Sequence, residues 1–320
     1  MESIDIKKKT DKKIVDPSIR TEAQRYSLPT RFAFLPDRVI GELWYFRLLT
    51  LIYYYIFIYF HGFEIIGMDK IDRKQGCLFI SRHSTHNAEI QGAIVCTYHK
   101  TGRVIRSLIH RQIMLIFSFL RLMGCVPGKR DTAVSLLNSR FWVAVVPGGA
   151  EEAMVGHENA YKVCWPENRK GFVHVATEAG VPIIPTFMAN QEEMRWNPIL
   201  FLWNLFGLGH LYSYILKLEI PLLTPLLHSI GTMIWFSMTW IQIPIPAQLT
   251  LYIGDPVQYD MSKDTIDDVV ERSRTALQAL INQYQPQGKS YSNAIKQRIE
   301  SVKKYWTEEI FNTIQKKKSN

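Results

Sequence analysis

The sequence has few cysteines, and they follow no pattern that would bind a metal or form a redox pair. Its four cysteines are widely spaced and lie in apolar surroundings: Cys77, Cys96, Cys125 and Cys164. No CxxC pair and no Cys/His ligand spacing occurs, which excludes the common structural zinc sites. We therefore expect reduced thiols and no bound metal.

The sequence also lacks the signals of a secreted protein. It contains no Asn-x-Ser/Thr acceptor site for glycosylation, and its first 30 residues are polar and basic. A cleavable signal peptide would instead need an apolar segment there. We expect the main domain to face the cytosol, because reduced thiols belong to that compartment.

The sequence has fewer acidic than basic residues. The chain of 320 residues has 38 Lys and Arg against 29 Asp and Glu, a net charge of +9. Much of the excess lies near the two ends, at Lys7 to Lys9 and at Lys316 to Lys318. Basic tails attract anionic lipid or nucleic acid, but no nucleic-acid-binding motif accompanies the charge. We predict a membrane lipid surface as a partner and no nucleic acid.

Long uninterrupted apolar runs are missing as well. The apolar run 43–60 is broken by Arg47, and the remainder, Leu48 to Phe60, is shorter than the roughly 20 residues of a spanning helix. The whole run 43–60 contains five tyrosines and Trp44, which are typical of a membrane interface. We predict a membrane-embedded or interfacial helix in residues 36–62. A buried helix of a soluble core is the alternative.

A second apolar segment, residues 199–246, is almost free of charge and is divided by four prolines. Its density of tryptophan and tyrosine favours an apolar insertion that faces the membrane. A helical cap over a soluble core is the alternative. Residues 1–35 are predicted to be a basic mobile tail, and residues 289–320 a last helix followed by a basic tail.

Short apolar runs alternate with helical patterns in residues 63–198 and again in 247–288. This alternation predicts an α/β domain with a mainly parallel central sheet flanked by helices. The strands are expected at 77–81, 104–109, 141–146, 181–188 and 248–253, and the helices at 112–123, 131–140, 169–179 and 264–283. The strand 181–188 contains Pro182 and Pro185, which predicts an edge or bulged position. Asp131 is the expected cap of its helix.

The first candidate for chemistry is His83. It follows the predicted strand Cys77 to Ser81, in a polar turn that leads into a helix. The carboxyl ends of strands are where α/β proteins place their sites. Glu89 would lie on the first turn of that helix, where its carboxylate can reach the ring of His83 and orient it as a general base. The alternative is a surface histidine beside a glutamate that only favours the helix start.

The second candidate is the turn Pro147-Gly148-Gly149, which joins a buried strand to a helix carrying Glu151 and Glu152. Glycines let a backbone approach a ligand closely, and a helix start offers N–H groups to an oxyanion. The turn is not a P-loop, because the lysine and the Ser/Thr are missing.

Taken in order, these stretches resemble the four sequence blocks of the glycerolipid acyltransferase superfamily. The blocks here are His83 with Glu89, then Gly128-Lys129-Arg130, then Val146 to Glu152, and last Val181 to Pro185. The resemblance is closest to the transmembrane protein 68 branch, which is related to the second diacylglycerol acyltransferase family. It covers about residues 60–195 and 248–285.

The resemblance implies transfer of a fatty acyl group from acyl-CoA to a glycerolipid hydroxyl at the endoplasmic reticulum membrane, with the catalytic domain in the cytosol. His83 would be the base and Glu89 its orienting carboxylate. Arg130 would hold a phosphate or shape the pocket. The remaining implied residues line the acceptor or oxyanion region: Pro147, Gly148, Gly149 and Glu152. No cofactor beyond the co-substrate acyl-CoA and no metal is implied.

Three departures from the family pattern affect the expected substrate and activity. Glu89 stands where the family usually has aspartate, and it is separated from His83 by five residues instead of the wider superfamily's four, as it also is in the transmembrane protein 68 branch. Glu151 stands where that branch tends to have arginine. The expected acceptor is mono- or diacylglycerol, and the alternative is a lysophospholipid or glycerol phosphate. A catalytically weak lipid-binding or scaffold protein is a second alternative, and His86 is an alternative base. Basic residues near the blocks could attract the CoA phosphates: Arg103, Arg106, Arg111, Lys129, Arg169 and Lys170.

Overall fold

Apolar runs of the sequence form the strands of a seven-stranded sheet. The computed structural model describes residues 32–86, 88–154, 159–238 and 241–319. The strands of the sheet are β1 (Glu64–Ile66), β2 (Cys77–Ser81), β3 (Ile105–Ile109), β4 (Val126–Pro127), β5 (Trp142–Val145), β6 (Ile183–Ala189) and β9 (Thr250–Ile253). A separate two-stranded ribbon joins β7 (Arg195–Trp196) to β8 (Ile243–Pro244).

The strand order is β1-β9-β6-β2-β5-β3-β4. Every neighbouring pair is parallel except β6 and β9, which are antiparallel. Strand β2 lies between β5 and β6, and Leu78 is in register with Val143 on one side and Ile183 on the other. The prediction of a mainly parallel central sheet is confirmed, and the chain segments that follow β5, β2 and β6 leave the sheet at one edge.

Helices lie on both faces of the sheet. They are α1 (Asp37–Glu42), α2 (Trp44–Tyr55), α3 (Ala88–Thr101), α4 (Arg111–Ile116), α5 (Arg130–Asn138), α6 (Gly149–Met154), α7 (Gly171–Ala179), α8 (Pro198–Leu205), α9 (Leu208–Lys217), α10 (Leu223–Met238), α11 (Ile266–Tyr284) and α12 (Tyr291–Ser319). Helix α11 starts with a reciprocal cap, in which Thr265 and Asp268 bind each other's backbone N–H. The prediction that Asp131 caps α5 is wrong, because α5 already begins at Arg130 and Lys129 precedes it.

Strand β2 shows how the core is divided between the two faces. Its alternate residues Leu78 and Ile80 pack on the side of α5, α7 and α11. Cys77 and Phe79 belong to the opposite cluster, which includes residues of α3 and the chain around Phe57. This alternation of side chains follows from the two-residue period of a strand. Because both faces are covered, β2 is apolar from Cys77 to Ile80, and only its last residue, Ser81, is polar.

The prediction for the proline-containing strand is wrong. Strand β6 is an interior strand between β2 and β9, although it contains Pro185. The carbonyl of Pro185 accepts the N–H of Gly254, so this residue faces β9 at the point where β9 has ended at Ile253. The ladder with β9 needs no N–H from Pro185 there, because it begins at Thr186. Position along the strand, and not an edge, makes the proline acceptable.

The two apolar segments are helical and expose apolar side chains. Helix α2 continues into a π-helical turn, Ile56–Phe60, and the side chains of Trp44 and Tyr59 are 76% and 71% exposed. In the segment 199–246, helices α8 to α10 expose further apolar side chains, and Leu222, in the connection before α10, is 88% exposed. Among the residues described, no helix is both long enough and apolar enough to cross a membrane. Of the predicted mobile tail 1–35, residues 1–31 lie outside the described residues. The prediction is wrong for its last residues, because Phe32–Phe34 form a short 3-10 helix in which Ala33 and Phe34 are buried.

Candidate active site

The turn that carries His83 leaves the central strand of the sheet. Residues 82–86 follow β2, the turn Pro147 to Gly149 follows β5, and residues 190–193 follow β6. Since β5, β2 and β6 are parallel neighbours, the three connections meet at the carboxyl edge of the sheet. His83 is buried in this group, with a relative exposure of 8%.

The ring of His83 lies against the first turn of α3. Its Nδ1 is 3.0 Å from the carbonyl oxygen of Ser84 and 3.4 Å from Oε1 of Glu89. A proton on Nδ1 would point toward these two oxygens and leave the basic lone pair on Nε2. The structure thus brings together the two residues that the sequence predicted to act as a pair.

Glu89 is buried and is held by Ser84 as well as by the histidine. The Ser84 N–H donates to Oε1 at 3.0 Å, and the Ser84 hydroxyl donates to Oε2. Burial would raise the pKa of Glu89, but the hydrogen bond and charge of His83, with the two hydrogen bonds from Ser84, lower it below its usual value of 4.5. The carboxylate is therefore ionised at neutral pH.

Glu152 lies behind the turn instead of lining the space in front of it. Its Oε2 accepts the backbone N–H of His83 at 2.8 Å, and its Oε1 accepts the N–H of Cys164 at 3.0 Å. Burial raises the pKa of Glu152, and the charge of Arg82 opposes this. A Cβ on Gly148 would lie 2.5 Å from the Glu152 side chain, so only glycine fits at that position. Gly148 thus allows Glu152 to approach His83.

A cavity of about 610 Å³ opens in front of His83. Its walls are largely apolar and come from α3, β3, α5, β5 and α7. The predicted site residues that line it are His83, Arg130, Pro147 and Gly149. Gly149 has a φ of +58°, in the left-handed region that favours glycine. Further polar residues of the lining are Tyr53, His86, Gln91, Ser107, His110, Lys129, Asn168, Arg169, Arg195 and His228.

Several cations of this cavity have carboxylate partners. Arg130 binds Glu178 at 2.7 Å. Glu151 accepts from Arg169 at 3.2 Å and from His228 of α10 at 2.9 Å, and these contacts lower its pKa. Glu151, which stands where the resembling branch tends to have arginine, therefore neutralises positive charge in the cavity and joins α10 to α6.

Arg106 does not fit its predicted place among residues that attract CoA. It is fully buried, its guanidinium binds Asp37, and it also donates to the carbonyl oxygens of Ala33 and Leu35. Position in the sequence placed Arg106 near the site, but its side chain fixes the chain segment that precedes α1. It is structural and does not line the cavity.

His86 is held within the protein. Its Nε2 is 3.1 Å from the carbonyl oxygen of Glu192, and burial lowers its pKa to about 4. The ring is neutral at pH 7, with Nε2 as the donor in this contact. The ring of His83 contacts a carboxylate oxygen, whereas the ring of His86 contacts a backbone carbonyl.

Sequence analysis missed Glu192 and His228. Both come from parts of the chain remote from His83, and no local pattern connects them to it. The signal for Glu192 was a pair of carboxylates, Glu192 and Glu193, directly after a predicted buried strand. Among the residues described, no group of three or more His, Cys, Asp or Glu side chains is placed to hold a metal ion.

Comparison with known proteins adds an independent observation. Residues 100–297 match the family model described as "Diacylglycerol acyltransferase". His83 and Glu89 precede this matched region.

A Bos taurus protein named "DGAT1/2-independent enzyme synthesizing storage lipids" is 30% identical over 250 residues, covering 76% of this chain and 66% of that protein. The chain thus spans just under two thirds of that relative. "Phytyl ester synthase 2, chloroplastic" of Arabidopsis thaliana is 33% identical over 143 residues, covering 42% of this chain and 20% of the relative. The crystal structure of the 1-acyl-sn-glycerophosphate acyltransferase PlsC from Thermotoga maritima has a TM-score of 0.43 and 11% identity, covering 82% of this chain and 99% of that one.

Proposed function

Because the chain belongs to the diacylglycerol acyltransferase family, we propose that it transfers a fatty acyl group from acyl-CoA to the hydroxyl of a mono- or diacylglycerol. The products are di- or triacylglycerol and free CoA. The observation that carries this proposal is the pairing of His83 with Glu89 beside a large and mainly apolar cavity. Such a cavity suits acyl chains, and such a pair suits removal of a proton from a hydroxyl.

In this mechanism Nε2 of His83 takes the proton of the glyceride hydroxyl as its oxygen attacks the thioester carbonyl carbon. The carbonyl oxygen becomes an oxyanion, which we assign to the turn that includes Gly149. Collapse of this intermediate breaks the C–S bond, and the thiolate of CoA receives the proton from His83. Glu89 orients the ring and stabilises the imidazolium, and it takes no proton itself.

The charges around the cavity favour a neutral acceptor over a phosphorylated one. Arg130 faces Glu178 and Arg169 faces Glu151, so the charge of each of these two cations is already balanced by a carboxylate. We therefore assign Arg130 to shaping the pocket. Lys129, exposed and also part of the lining, is the residue that we assign to the phosphates of acyl-CoA.

We also propose that the protein works on a membrane, at the cytosolic face of the endoplasmic reticulum. Both substrates carry acyl chains, so an enzyme that handles them gains by lying on a lipid surface. The exposed side chains of Trp44, Tyr59 and Leu222 are large and apolar, as expected of residues that contact lipid. No cofactor other than the co-substrate is required by the mechanism.

The test is release of CoA thiol from oleoyl-CoA by purified protein in mixed micelles. Monoacylglycerol, diacylglycerol and lysophospholipid are supplied in turn, and the lipid product is identified by mass spectrometry. His83→Ala is compared with His86→Ala, a matched variant that removes the second histidine of the same turn. Loss of a general base should slow transfer about 100- to 10,000-fold, whereas His86→Ala should retain far more activity.

Neutral glyceride that is consumed by the wild type and not by His83→Ala supports the proposal. If lysophospholipid were acylated faster than either glyceride, the proposed acceptor would be wrong and the enzyme class would stand. Binding of glyceride without any consumption of acyl-CoA would overturn the proposal in favour of a lipid-binding protein.

A further inference from the structure

A second buried carboxylate, Glu192, contacts the turn that carries His83 from the side opposite to Glu152. Glu192 lies in the connection after β6, the parallel neighbour of β2, and is 1% exposed. Its Oε2 accepts the hydroxyl of Thr85 at 2.8 Å and the backbone N–H of Thr85 at 3.4 Å. Its Oε1 accepts from the guanidinium of Arg82. Glu192 therefore holds the residue before His83 and the second residue after it.

Arg82 is itself held in place by the protein, so Glu192 binds a fixed partner. It is buried, and its Nε donates to the carbonyl oxygen of Lys162 at 3.1 Å. Burial alone would lower the pKa of Arg82, but the charges of Glu192 and Glu152 raise it. The two partners are thus ionised together inside the protein.

A buried ion pair of this kind is a poor way to gain stability. The cost of removing two charges from water commonly offsets their attraction, and apolar pairs of similar volume are often at least as stabilising. Geometry offers a better reason for the pair at this place. One carboxylate that is fixed at both oxygens defines where Arg82 and Thr85 lie, and hence where the backbone of His83 lies between them.

We infer that Glu192 is a positioning residue for the catalytic base, acting through Arg82 and Thr85. This inference rests on the proposed function. Glu89 orients the ring of His83, Glu152 holds its backbone N–H, and Glu192 holds the chain on both sides of it. Glu192 does not contact the reacting atoms. A displacement of about 1 Å at a reacting group can cost roughly 100-fold in rate.

The test compares two adjacent buried glutamates. Glu192→Gln keeps the size of the side chain and removes the charge that holds Arg82 and Thr85. Glu193→Gln is the matched control, because Glu193 accepts from the Tyr161 hydroxyl and from the Ser290 N–H at 2.6 Å and so supports the chain before α12. We expect Glu192→Gln to lower kcat at least about tenfold, with KM for both substrates within about twofold. Glu193→Gln should keep kcat within about twofold of the wild type.

A second pair of variants examines the same contact with less risk to folding. Thr85→Val removes the hydroxyl and keeps the shape, whereas Thr85→Ser keeps the hydroxyl. Thr85→Val should lower kcat in the same direction as Glu192→Gln, and Thr85→Ser should restore it. The combined Thr85→Val, Glu192→Gln variant should lose less than the product of the two single effects, because both remove one interaction.

The results separate this inference from the proposed function. An inactive wild type overturns the proposed function, and the inference with it. An active wild type whose kcat is equally affected in Glu192→Gln and Glu193→Gln overturns the inference alone. If Glu192→Gln fails to fold, the Thr85 variants test the inference instead. A kcat of Thr85→Val equal to that of Thr85→Ser would then refute the positioning role of Glu192.

Discussion

Shortening Glu89 to aspartate tests whether the longer carboxylate is what reaches His83. In the native site Oε1 of Glu89 is 3.4 Å from Nδ1 of His83 and 3.0 Å from the N–H of Ser84. Aspartate is shorter by one carbon–carbon bond, about 1.5 Å. Since Glu89 is buried on the first turn of a packed helix, the backbone cannot move forward freely to compensate. The oxygen would then lie up to about 5 Å from Nδ1, which is beyond hydrogen-bonding distance.

The expected loss of activity in Glu89→Asp follows from the free energy of the contact between Glu89 and His83 that this variant removes. A hydrogen bond to a charged group contributes about 1.5–3 kcal/mol, which corresponds to a decrease of roughly 10- to 150-fold in kcat/KM. The assay is acceptor-dependent thiol release from oleoyl-CoA. Glu89→Gln is the matched control, because it keeps the reach and removes the charge. Its amide can donate to Nδ1 and so favour the wrong tautomer, and we expect a decrease at least as large as that of Glu89→Asp.

Aspartate is the usual residue at this position in the resembling family, so the expected loss is a demanding prediction. If Glu89→Asp were as active as the wild type, the turn must be able to move toward a shorter side chain. The reasoning from the fixed first turn of the helix would then be refuted, although Glu89 would remain an orienting carboxylate. If Glu89→Gln were also fully active, Glu89 would have no part in orienting His83.

Three further predictions concern stability, thiols and lipid. Burial would raise the pKa of Glu192, but Arg82 and its other partners lower it from 4.5 to about 2. The corresponding pH-dependent part of the free energy of unfolding, about 3 kcal/mol, is present above pH 4.5 and lost as the pH falls toward 2, whatever the net contribution of the ion pair. The urea midpoint of the wild type should therefore fall more steeply over this window than that of Glu192→Gln, and parallel curves would contradict the lowered pKa. A thiol reagent should label Cys164 alone in the native protein and all four cysteines after unfolding, because Cys164 is partly exposed and the other three are buried; rapid labelling of a second thiol would refute this. Replacing Trp44 and Tyr59 with serine should reduce flotation with phosphatidylcholine vesicles without changing the thermal midpoint, and unchanged flotation would exclude this surface from lipid contact.

The sequence predicted those parts of the fold and site that depend on neighbouring residues. Strand β2 has the predicted bounds, Cys77–Ser81, because a short apolar run followed by capping residues is a local signal. The contact of Glu89 with His83 was also predictable, since six positions of chain separate them across one turn. Pro185 shows the limit of such reasoning. Its local preference predicted an edge or a bulge, but the register with β9 provides an interior position at which no N–H is needed.

The remainder of the site depends on strand order, which local patterns do not contain. Glu152 is 69 positions from His83, and Glu192 is 107 positions from Thr85. They meet the same turn because β5 and β6 lie on either side of β2. The alternation of strands and helices predicts a parallel sheet without saying which strands are neighbours. Once the order is known, carboxylates that follow the two flanking strands become candidates for contact with the central turn.

The three carboxylates around this turn differ in what balances their charge, and that difference suits a general base. Glu192 is balanced by Arg82 within the protein. Burial raises the pKa of Glu152, which makes its negative charge less favourable. Glu89 is held instead by the neutral donors of Ser84 and by the ring of His83. In the proposed mechanism, His83 accepts the proton of a hydroxyl, and the imidazolium would form beside an ionised carboxylate, so the turn would stabilise charge most strongly at the moment when the reaction creates it.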